Sequence, residues 1–428
     1  MKRIIPLALA AATVLLGQTA DSQLDKELHN IQQYCGPAVA EHFLEPSMDS
    51  TCAQQIVNGK PLKLTYETFA PGSGLGLGLG YQRDFAIGQS WQNNWEVGGS
   101  GSVQGAWEGH LVATLDRAWS KASKAANVKH EIKEHLEVHP FVTAQQLTKV
   151  NFYGEGMQSP VSGLALYAER DIRVGLGIAV PIAWWLNAGA KAEGLWTDIG
   201  PASTSTTPSV AGVYNELQAP GIGSQPPFTH FQFYIRPHYP NQEPFNLIYK
   251  IGYEYFQAHS LPYSFGRFRA DLLHNIYPEH SGKRKRDDSI LSFYGRLTLA
   301  QTSGANVVPF FLQDTLGGTD INGDPSLRAF PDYRFRAPDD LAIEVEFDRR
   351  IWKVLGIMVF YDTGTVADRA SDLSLANMRQ SVGGGLTLWS ASKVVFRAYV
   401  GFGGGEGTHT FVGILPLPGP VAAPYRTY

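Results

Sequence analysis

Residues 342–348 read AIEVEFD, so that apolar and acidic side chains alternate along the chain. Successive side chains of a β-strand point to opposite faces. The stretch therefore predicts a strand with apolar residues such as Ile343 on one face and Glu344 and Glu346 on the other. One face suits lipid and the other suits a polar lumen, as in a transmembrane β-barrel.

The same period of two recurs along most of the chain. Leucine alternates with glycine at 75–80, and apolar residues alternate with polar ones at 296–299 and 396–402. A strand with its connection takes about 20–22 residues, so residues 61–414 hold about 16 strands. We expect an all-β fold, a transmembrane antiparallel β-barrel of about 16 strands, preceded by a short helical N-terminal segment.

The composition supports this class. The chain of 428 residues has a net charge of −4, which argues against a nucleic-acid-binding protein, because such proteins show a basic domain or stripe. Charged residues make up 17%, below the roughly 25% of soluble domains, and the 45 glycines exceed the usual share. The mean hydropathy of −0.15 argues against a bundle of transmembrane helices.

The N-terminus predicts export. Lys2 and Arg3 precede an apolar run at 4–17, and small residues at 17–20 offer a cleavage site. Residues 1–20 thus have the features of a secretory signal peptide. We therefore expect the mature protein in the outer membrane of a Gram-negative bacterium.

Residues 21–60 differ from the rest of the chain. Apolar residues recur at helical spacing between 24 and 31, which predicts one or two short helices in the periplasm or at the barrel mouth. Cys35 and Cys52 are the only two cysteines. An even count in an exported protein predicts a disulfide between them, and two free thiols are the alternative.

Three connections are long and polar, at 200–227, 281–289 and 301–340. Because long loops of such barrels lie at the outer end, we expect all three outside the barrel or folded into its lumen. Residues 174–190 are too short for a membrane-spanning helix and predict a strand, a turn and a second strand. Residues 415–428 form a Pro-rich tail.

Three motifs resemble catalytic or metal-binding sequences, and each lacks something that the chemistry requires. Residues 362–364 resemble an aspartic-protease loop, but that reaction needs two carboxylates and the chain has no second such motif. Residues 320–324 have the first spacings of a calcium loop, but Pro325 stands where that loop needs glycine. Residues 130–135 have one residue too many for a zinc-binding helix. We expect no enzyme activity, no catalytic residues, no metal and no cofactor.

Several motifs between 316 and 386 follow one another in the order of a known family. They are LGG at 316–318, SLRAF at 326–330, DYRFR at 332–336, VFYDTGTV at 359–366 and SVGGGL at 381–386. Together they resemble the C-terminal barrel of the BamA/TamA-like outer-membrane assembly superfamily, also called the bacterial surface antigen family. The resemblance is strong over about 305–414, weaker over 140–304 and nearly absent before residue 70.

The resemblance implies a long loop near 316–340 that folds back into the lumen. Its tip corresponds to Arg328-Ala329-Phe330, and the family's loop arginine pairs with acidic residues that map onto Glu346 and Asp362. A guanidinium in a confined lumen needs carboxylate partners, which agrees with this pairing. The triad either only anchors the loop and stabilises the barrel, or takes a direct part in gating.

Other positions near the loop match the family less well or add detail. Gly364 is expected to be a turn glycine. Ala329 stands where the family usually has glycine, which puts a turn with positive φ in doubt. Residues 21–60 are too few for one of the family's periplasmic POTRA modules, so we expect a short member without POTRA domains.

The family's insertases and transporters act through a lateral seam between their first and last strands. If that applies here, the strand near 75–81, or one just before it, pairs with the strand near 409–414. The resemblance thus implies protein assembly, insertion or translocation at the outer membrane. Expected partners are outer-membrane lipid and client outer-membrane proteins or a periplasmic subunit, with no nucleic acid. A passive pore, or a structural or anchor barrel that has lost assembly activity, is the alternative.

Overall fold

The computed structural model describes most of the chain between residues 62 and 413. The described residues are 62–69, 72–87, 91–118, 135–183, 185–202, 206–242, 245–278, 288–321, 324–390, 393–403, 406 and 408–413. The predicted signal peptide, the predicted helical segment with Cys35 and Cys52, and the Pro-rich tail lie outside them. No helix within the described ranges is long and apolar enough to cross a membrane.

Within the described residues, sixteen antiparallel strands form one sheet, which confirms the predicted all-β fold and strand number. Each strand pairs with its neighbour in the chain, except that β11 pairs with β14 and the short β12–β13 hairpin stands apart. The strands are β1 (Leu62–Thr68), β2 (Leu75–Ile87), β3 (Trp91–Ser102), β4 (Trp107–Ala118), β5 (His135–Phe152), β6 (Ala165–Ala183), β7 (Leu186–Pro201), β8 (Phe228–Gln242), β9 (Phe245–Ala258), β10 (Phe265–Ile276), β11 (Ser289–Thr302), β12 (Asp314–Leu316), β13 (Phe335–Ala337), β14 (Asp339–Trp352), β15 (Leu355–Ala367), β16 (Arg379–Ser390), β17 (Lys393–Phe402) and β18 (Thr408–Gly413). Single helical turns lie at Val161–Gly163, Val210–Val213, Phe310–Leu312, Ala370–Asp372 and Leu375–Asn377.

The two faces of the sheet have opposite chemistry. On β14, Ile343 remains 41% exposed on the outer face, whereas Glu344 and Glu346 are buried on the inner face. On β2, Leu77 and Leu79 point outward and remain 63% and 66% exposed. Apolar side chains outside and charged side chains inside are the reverse of a soluble protein, and they confirm the predicted alternation.

The first and last strands of the sheet are its shortest. β1 has 7 residues and pairs with β2, and β18 has 6 residues and pairs with β17. No ladder joins β1 to β18 within the described part of the chain. The expected pairing between these two strands is therefore absent from the described residues, where β1 and β18 are the two edges of an open sheet.

Connections of an antiparallel sheet lie at alternate ends. The β7–β8 and β11–β14 connections lie at one end, which we call the distal end. The prediction that residues 281–289 lie with them is wrong. These residues join β10 to β11, and that connection lies at the opposite end, where β1 begins and β18 ends. Residues 279–287 themselves lie outside the described residues.

Aromatic side chains fill the interior near the distal end. Phe310 is fully buried and meets Phe152 and Tyr167 edge to face, with ring centroids 5.1 Å away in each case. Phe256 stacks on Phe265 at 4.7 Å in the same buried cluster. The cluster is built from the ends of the central strands and from the two long distal connections.

Val174 tests the character of the outer face, because it lies at the middle of β6 with 45% of its surface exposed. If hydrocarbon covers this face, Val174→Arg destabilises the folded barrel by about 2–4 kcal/mol, the cost of arginine at the bilayer midplane. The control Gln380→Arg puts the same charge near the distal end of β16, where the cost falls to about 0–1 kcal/mol. Urea titration in lipid vesicles measures both, and equal costs would contradict a lipid-facing surface.

Candidate functional site

Arg328 is fully buried at the tip of the β11–β14 connection, residues 303–338, which we call the lumen loop. Its backbone N–H and Nε donate to Asp362 Oδ2 at 2.9 and 3.0 Å, and its Nη2 donates to Asp362 Oδ1 at 2.6 Å. Its Nη1 donates to Glu346 Oε2. The two carboxylates project from the inner faces of β14 and β15. The structure thus brings together the three residues that the family resemblance pairs.

Three further side chains orient this arginine and its partner. The Arg328 guanidinium carbon lies 3.7 Å from the ring centroid of Phe360, and Tyr399 meets that ring edge to face at 5.3 Å. Ser381 Oγ donates to Asp362 Oδ2 at 2.9 Å. A cation stacked on a ring away from water gains about 2 kcal/mol. Stacking on one side and hydrogen bonding on the other hold the pair in one geometry.

A second arginine, Arg397 on β17, completes the cluster. Its Nη2 lies 2.8 Å from Glu346 Oε1 and 3.4 Å from Asp348 Oδ2, and its side chain is fully buried. The sequence motifs did not identify Arg397 or Asp348 as members of the site. The alternation at 396–402 puts Arg397 on the polar face of its strand, but a period of two does not show which polar residues meet.

The cluster fixes the loop tip by charge pairing. Arg328 and Arg397 share three carboxylates on two neighbouring strands, and all five side chains are shielded from solvent. Buried charges are tolerated when they are paired, and removing one partner of such a pair costs about 3–5 kcal/mol. The tip is therefore held against β14, β15 and β17.

Ala329 and Phe330 pack beside the arginine. The tip takes its positive φ at Leu327, at 43°, two residues before Ala329, so the replacement of the family's glycine does not strain the turn. A Cβ added at Gly401 would lie 2.8 Å from the Arg328 carbonyl oxygen. Glycine on β17 therefore allows the tip to approach the strand, while Phe330 meets Phe335 at 5.2 Å.

The prediction that Gly364 is a turn glycine is wrong. Gly364 lies inside β15, where it pairs with Ala342 of β14 and Arg379 of β16, and the ladder with β14 continues beyond it to Ala367. A Cβ at this position would lie 2.9 Å from Leu316 Cδ1 and 3.0 Å from the Leu341 carbonyl oxygen. The glycine makes room for the base of the lumen loop, and the apolar run before it continues as strand.

Ion pairs also join the lumen loop to β10 and β11. Arg296 on β11 donates from Nη2 to the Thr315 carbonyl oxygen at 3.0 Å and pairs through Nη1 with Asp320. Arg269 on β10 lies 3.3 Å from Asp314. Asp320, which the sequence offers as a weak calcium ligand, is thus a partner of an arginine.

Arg336 joins the lumen loop to the opposite part of the barrel. Its Nη2 donates to Tyr167 Oη at 3.0 Å on β6, and its Nη1 donates to the Phe310 carbonyl oxygen at 2.5 Å. Its own carbonyl oxygen accepts from Gly156 N at 2.7 Å. The loop therefore crosses the interior. It contacts β10 and β11 on one side of the barrel, β6 on another, and β17 near the end of the sheet.

Glu155, in the β5–β6 connection, is a titratable contact of the same loop. Its Oε1 accepts from Gln313 Nε2 at 2.6 Å. Burial raises the pKa of Glu155 to about 7; the Gln313 hydrogen bond and Arg336 oppose the rise, and the charge of Asp368 adds to it. The carboxyl therefore changes charge near neutral pH, where the connection meets the lumen loop.

Comparison with known proteins gives a structural match. No known family profile and no curated protein matches the sequence. The structure is similar to BamA from Haemophilus ducreyi lacking POTRA domains 1–3, with a TM-score of 0.51 and 10% identity over 86% of this chain and 77% of that chain. CdiB from Acinetobacter baumannii and CdiB from Escherichia coli align with TM-scores of 0.46 and 0.47, at 12% and 10% identity, over 83% and 84% of this chain and 57% and 61% of theirs. The BamA match confirms the BamA-like barrel fold that the sequence motifs predict.

Asp362 accepts more hydrogen bonds from Arg328 than Glu346 does. Asp362→Asn removes the charge that accepts hydrogen bonds from the Arg328 backbone N–H, Nε and Nη2. It should lower the free energy of unfolding by about 3–5 kcal/mol. Glu346→Gln leaves Arg328 with Asp362 and Arg397 with Asp348, so its cost is smaller. The temperature at which the barrel loses its compact gel mobility ranks the variants, with exposed Asp198→Asn as the control. A larger loss for Glu346→Gln than for Asp362→Asn would contradict this division.

Glu155 makes the loop contact depend on pH. Because its pKa in the folded protein is raised from 4.5 to about 7, its contribution to stability is fully present below pH 4.5 and is lost as the pH rises through 7. Glu155→Gln removes this loss, so the variant should exceed the wild type by about 1–3 kcal/mol at pH 8 and match it at pH 4. Thermal unfolding in detergent at both pH values measures this, and a difference independent of pH would contradict it.

Proposed function

We propose that this chain is an outer-membrane barrel that assembles, inserts or translocates proteins through the opening between β1 and β18. The open sheet carries this proposal. Two short edge strands, with no ladder between them in the described residues, lie in a BamA-like barrel. Unpaired N–H and C=O groups on a strand edge are a template for another strand. A client strand can therefore add to β1 or β18 by β-augmentation.

The outer face favours the outer membrane of a Gram-negative bacterium as the location. Exported barrels of this kind cross that membrane with an apolar outer band. Outer-membrane lipid then surrounds outer-face side chains such as Leu77 and Val174. Client outer-membrane proteins are the expected substrates, and residues 21–60 are the segment that we expect to dock a periplasmic subunit.

The charged cluster supports a positional rather than a catalytic role. Arg328, Glu346 and Asp362 satisfy one another, and pairs of this type hold elements in register rather than transfer protons. We propose that the protein is not an enzyme and uses no cofactor. A passive pore fits less well, because the lumen loop crosses the interior and an aromatic cluster fills its distal part. A structural or anchor barrel is the second candidate, and the many buried ion pairs of the loop favour it.

Photo-crosslinking at the open edge tests the assembly function. A photoreactive residue replaces Thr410, which is exposed on β18, and the matched control replaces Ile235, exposed on β8 between two paired neighbours. In growing cells, position 410 should form adducts with newly exported barrel proteins and position 235 should not. Depletion of the protein should in parallel lower the amount of other outer-membrane barrels. An unchanged envelope, with no adduct specific to position 410, would leave the structural barrel as the function.

A further inference from the structure

The turn that joins β17 to β18 is tied to the lumen loop by a second arginine of that loop. Arg334 donates from Nε to Glu406 Oε2 at 2.6 Å and from Nη2 to Glu406 Oε1 at 2.9 Å. This is a bidentate pair, the strongest arrangement of a guanidinium with a carboxylate. Glu406 lies in the turn of the last hairpin, and the Arg334 and Glu406 side chains are 2% and 15% exposed. The arginine is therefore nearly desolvated, and its partner is largely shielded from water.

Arg334 also reaches the β5–β6 connection with its remaining donors. Its Nη1 donates to Ser159 Oγ at 2.9 Å, and its Nη2 donates to the Ser159 carbonyl oxygen at 2.6 Å. The guanidinium carbon lies 5.0 Å from the ring centroid of Tyr153 and 4.7 Å from that of Phe335. One side chain thus joins the lumen loop, the β5–β6 connection and the last hairpin.

The backbone around Arg334 is shaped for this contact. Tyr333 has a φ of 58°, which is uncommon for a residue with a side chain, and its N–H donates to the Gly317 carbonyl oxygen at 3.1 Å. A Cβ added at Gly317 would lie 2.7 Å from Arg334 Cβ. The left-handed backbone at Tyr333 and the missing side chain at Gly317 thus together set the position of Arg334.

The last hairpin has a second contact with the same loop. His409 Nδ1 on β18 lies 3.3 Å from the Arg328 carbonyl oxygen. A Cβ at Gly403 would lie 3.2 Å from Ala329 Cβ. Within the described residues β18 has a ladder with β17 alone, over six residue pairs from Phe402–Thr408 to Arg397–Gly413. The contacts with the lumen loop therefore supply the restraint that a neighbouring strand on the other edge supplies elsewhere.

We propose that Arg334 is a positioning residue that latches the β17–β18 hairpin to the lumen loop and the β5–β6 connection, and so sets how readily the β18 edge moves. This inference rests on the proposed function, because a latch on β18 regulates assembly only if the edge receives clients. Arg328 and Arg334 anchor different elements. Arg328 fixes the loop to β14 and β15, and Arg334 fixes the last hairpin to the loop.

Hydrogen–deuterium exchange on the full chain in lipid nanodiscs tests the latch without any client. Charged hydrogen bonds contribute enough that Arg334→Gln or Glu406→Gln should raise amide exchange in residues 408–413 by about tenfold or more. Exchange in β8–β10 should stay unchanged. The double variant should exchange no faster than the single variants, because both remove one interaction. Arg334→Lys keeps the charge but loses the fork, so its effect should be intermediate.

The control is Arg170→Gln. Arg170 also donates twice to one side chain, from Nε and Nη2 to Gln146 Oε1 at 3.2 and 2.8 Å, but it lies on β6 away from the last hairpin. It should leave exchange in β18 unchanged. Unchanged exchange at 408–413 in both Arg334→Gln and Glu406→Gln, a rise spread evenly over the sheet, or additive single effects would overturn the proposal. If Arg334→Gln does not fold, Glu406→Gln and Arg334→Lys give the same comparison.

The outcome separates the latch from the proposed function. Faster exchange at β18 with no client adducts at position 410 would support the latch and contradict the assembly function. Client adducts at position 410 that are unchanged in Glu406→Gln, together with unchanged exchange, would support assembly and contradict the latch. A rise in both exchange and adducts is the result that we expect.

Discussion

A guanidinium that is withdrawn from water inside a barrel has to meet carboxylates, and this requirement organises the molecule. Arg328 lies fully buried at the tip of the loop that enters the lumen. Its ion pairs with Asp362 and Glu346 offset the cost of removing its charge from water, and they also determine which strands the loop touches. Once the tip is fixed, the remaining loop arginines fall within reach of the β5–β6 connection and of the last hairpin.

The open edge and the lumen loop are therefore parts of one arrangement. Within the described residues β18 has a ladder with β17 alone, and the lumen loop adds contacts with the last hairpin through Arg334 and the Arg328 carbonyl group. A sheet closed by hydrogen bonds between its first and last strands would not need such contacts. At β18 the interior of the barrel thus supplies, through side chains of the lumen loop, part of the restraint that a second neighbouring strand supplies to β2–β17.

Much of the fold could be predicted from the chain, because a period of two is a local property. Residues 342–348 and 75–80 show their two faces without reference to any distant residue. Glu346 and Asp362 were identified through the order of family motifs. Arg397 was not, because its partner lies on a strand 49 positions away at Asp348, and no local pattern encodes that distance. Gly364 was misassigned because a single glycine fits a turn as well as it fits a strand position that the lumen loop approaches closely.

The apolar outer face has a consequence for where the chain can fold. Leucines such as Leu77 and Leu79 stay largely uncovered when the barrel is complete, so folding in water does not remove them from solvent. The folded barrel is therefore not stable in water alone. Acquisition of structure and entry into the bilayer are therefore coupled, because the complete barrel needs lipid in place of water around these side chains.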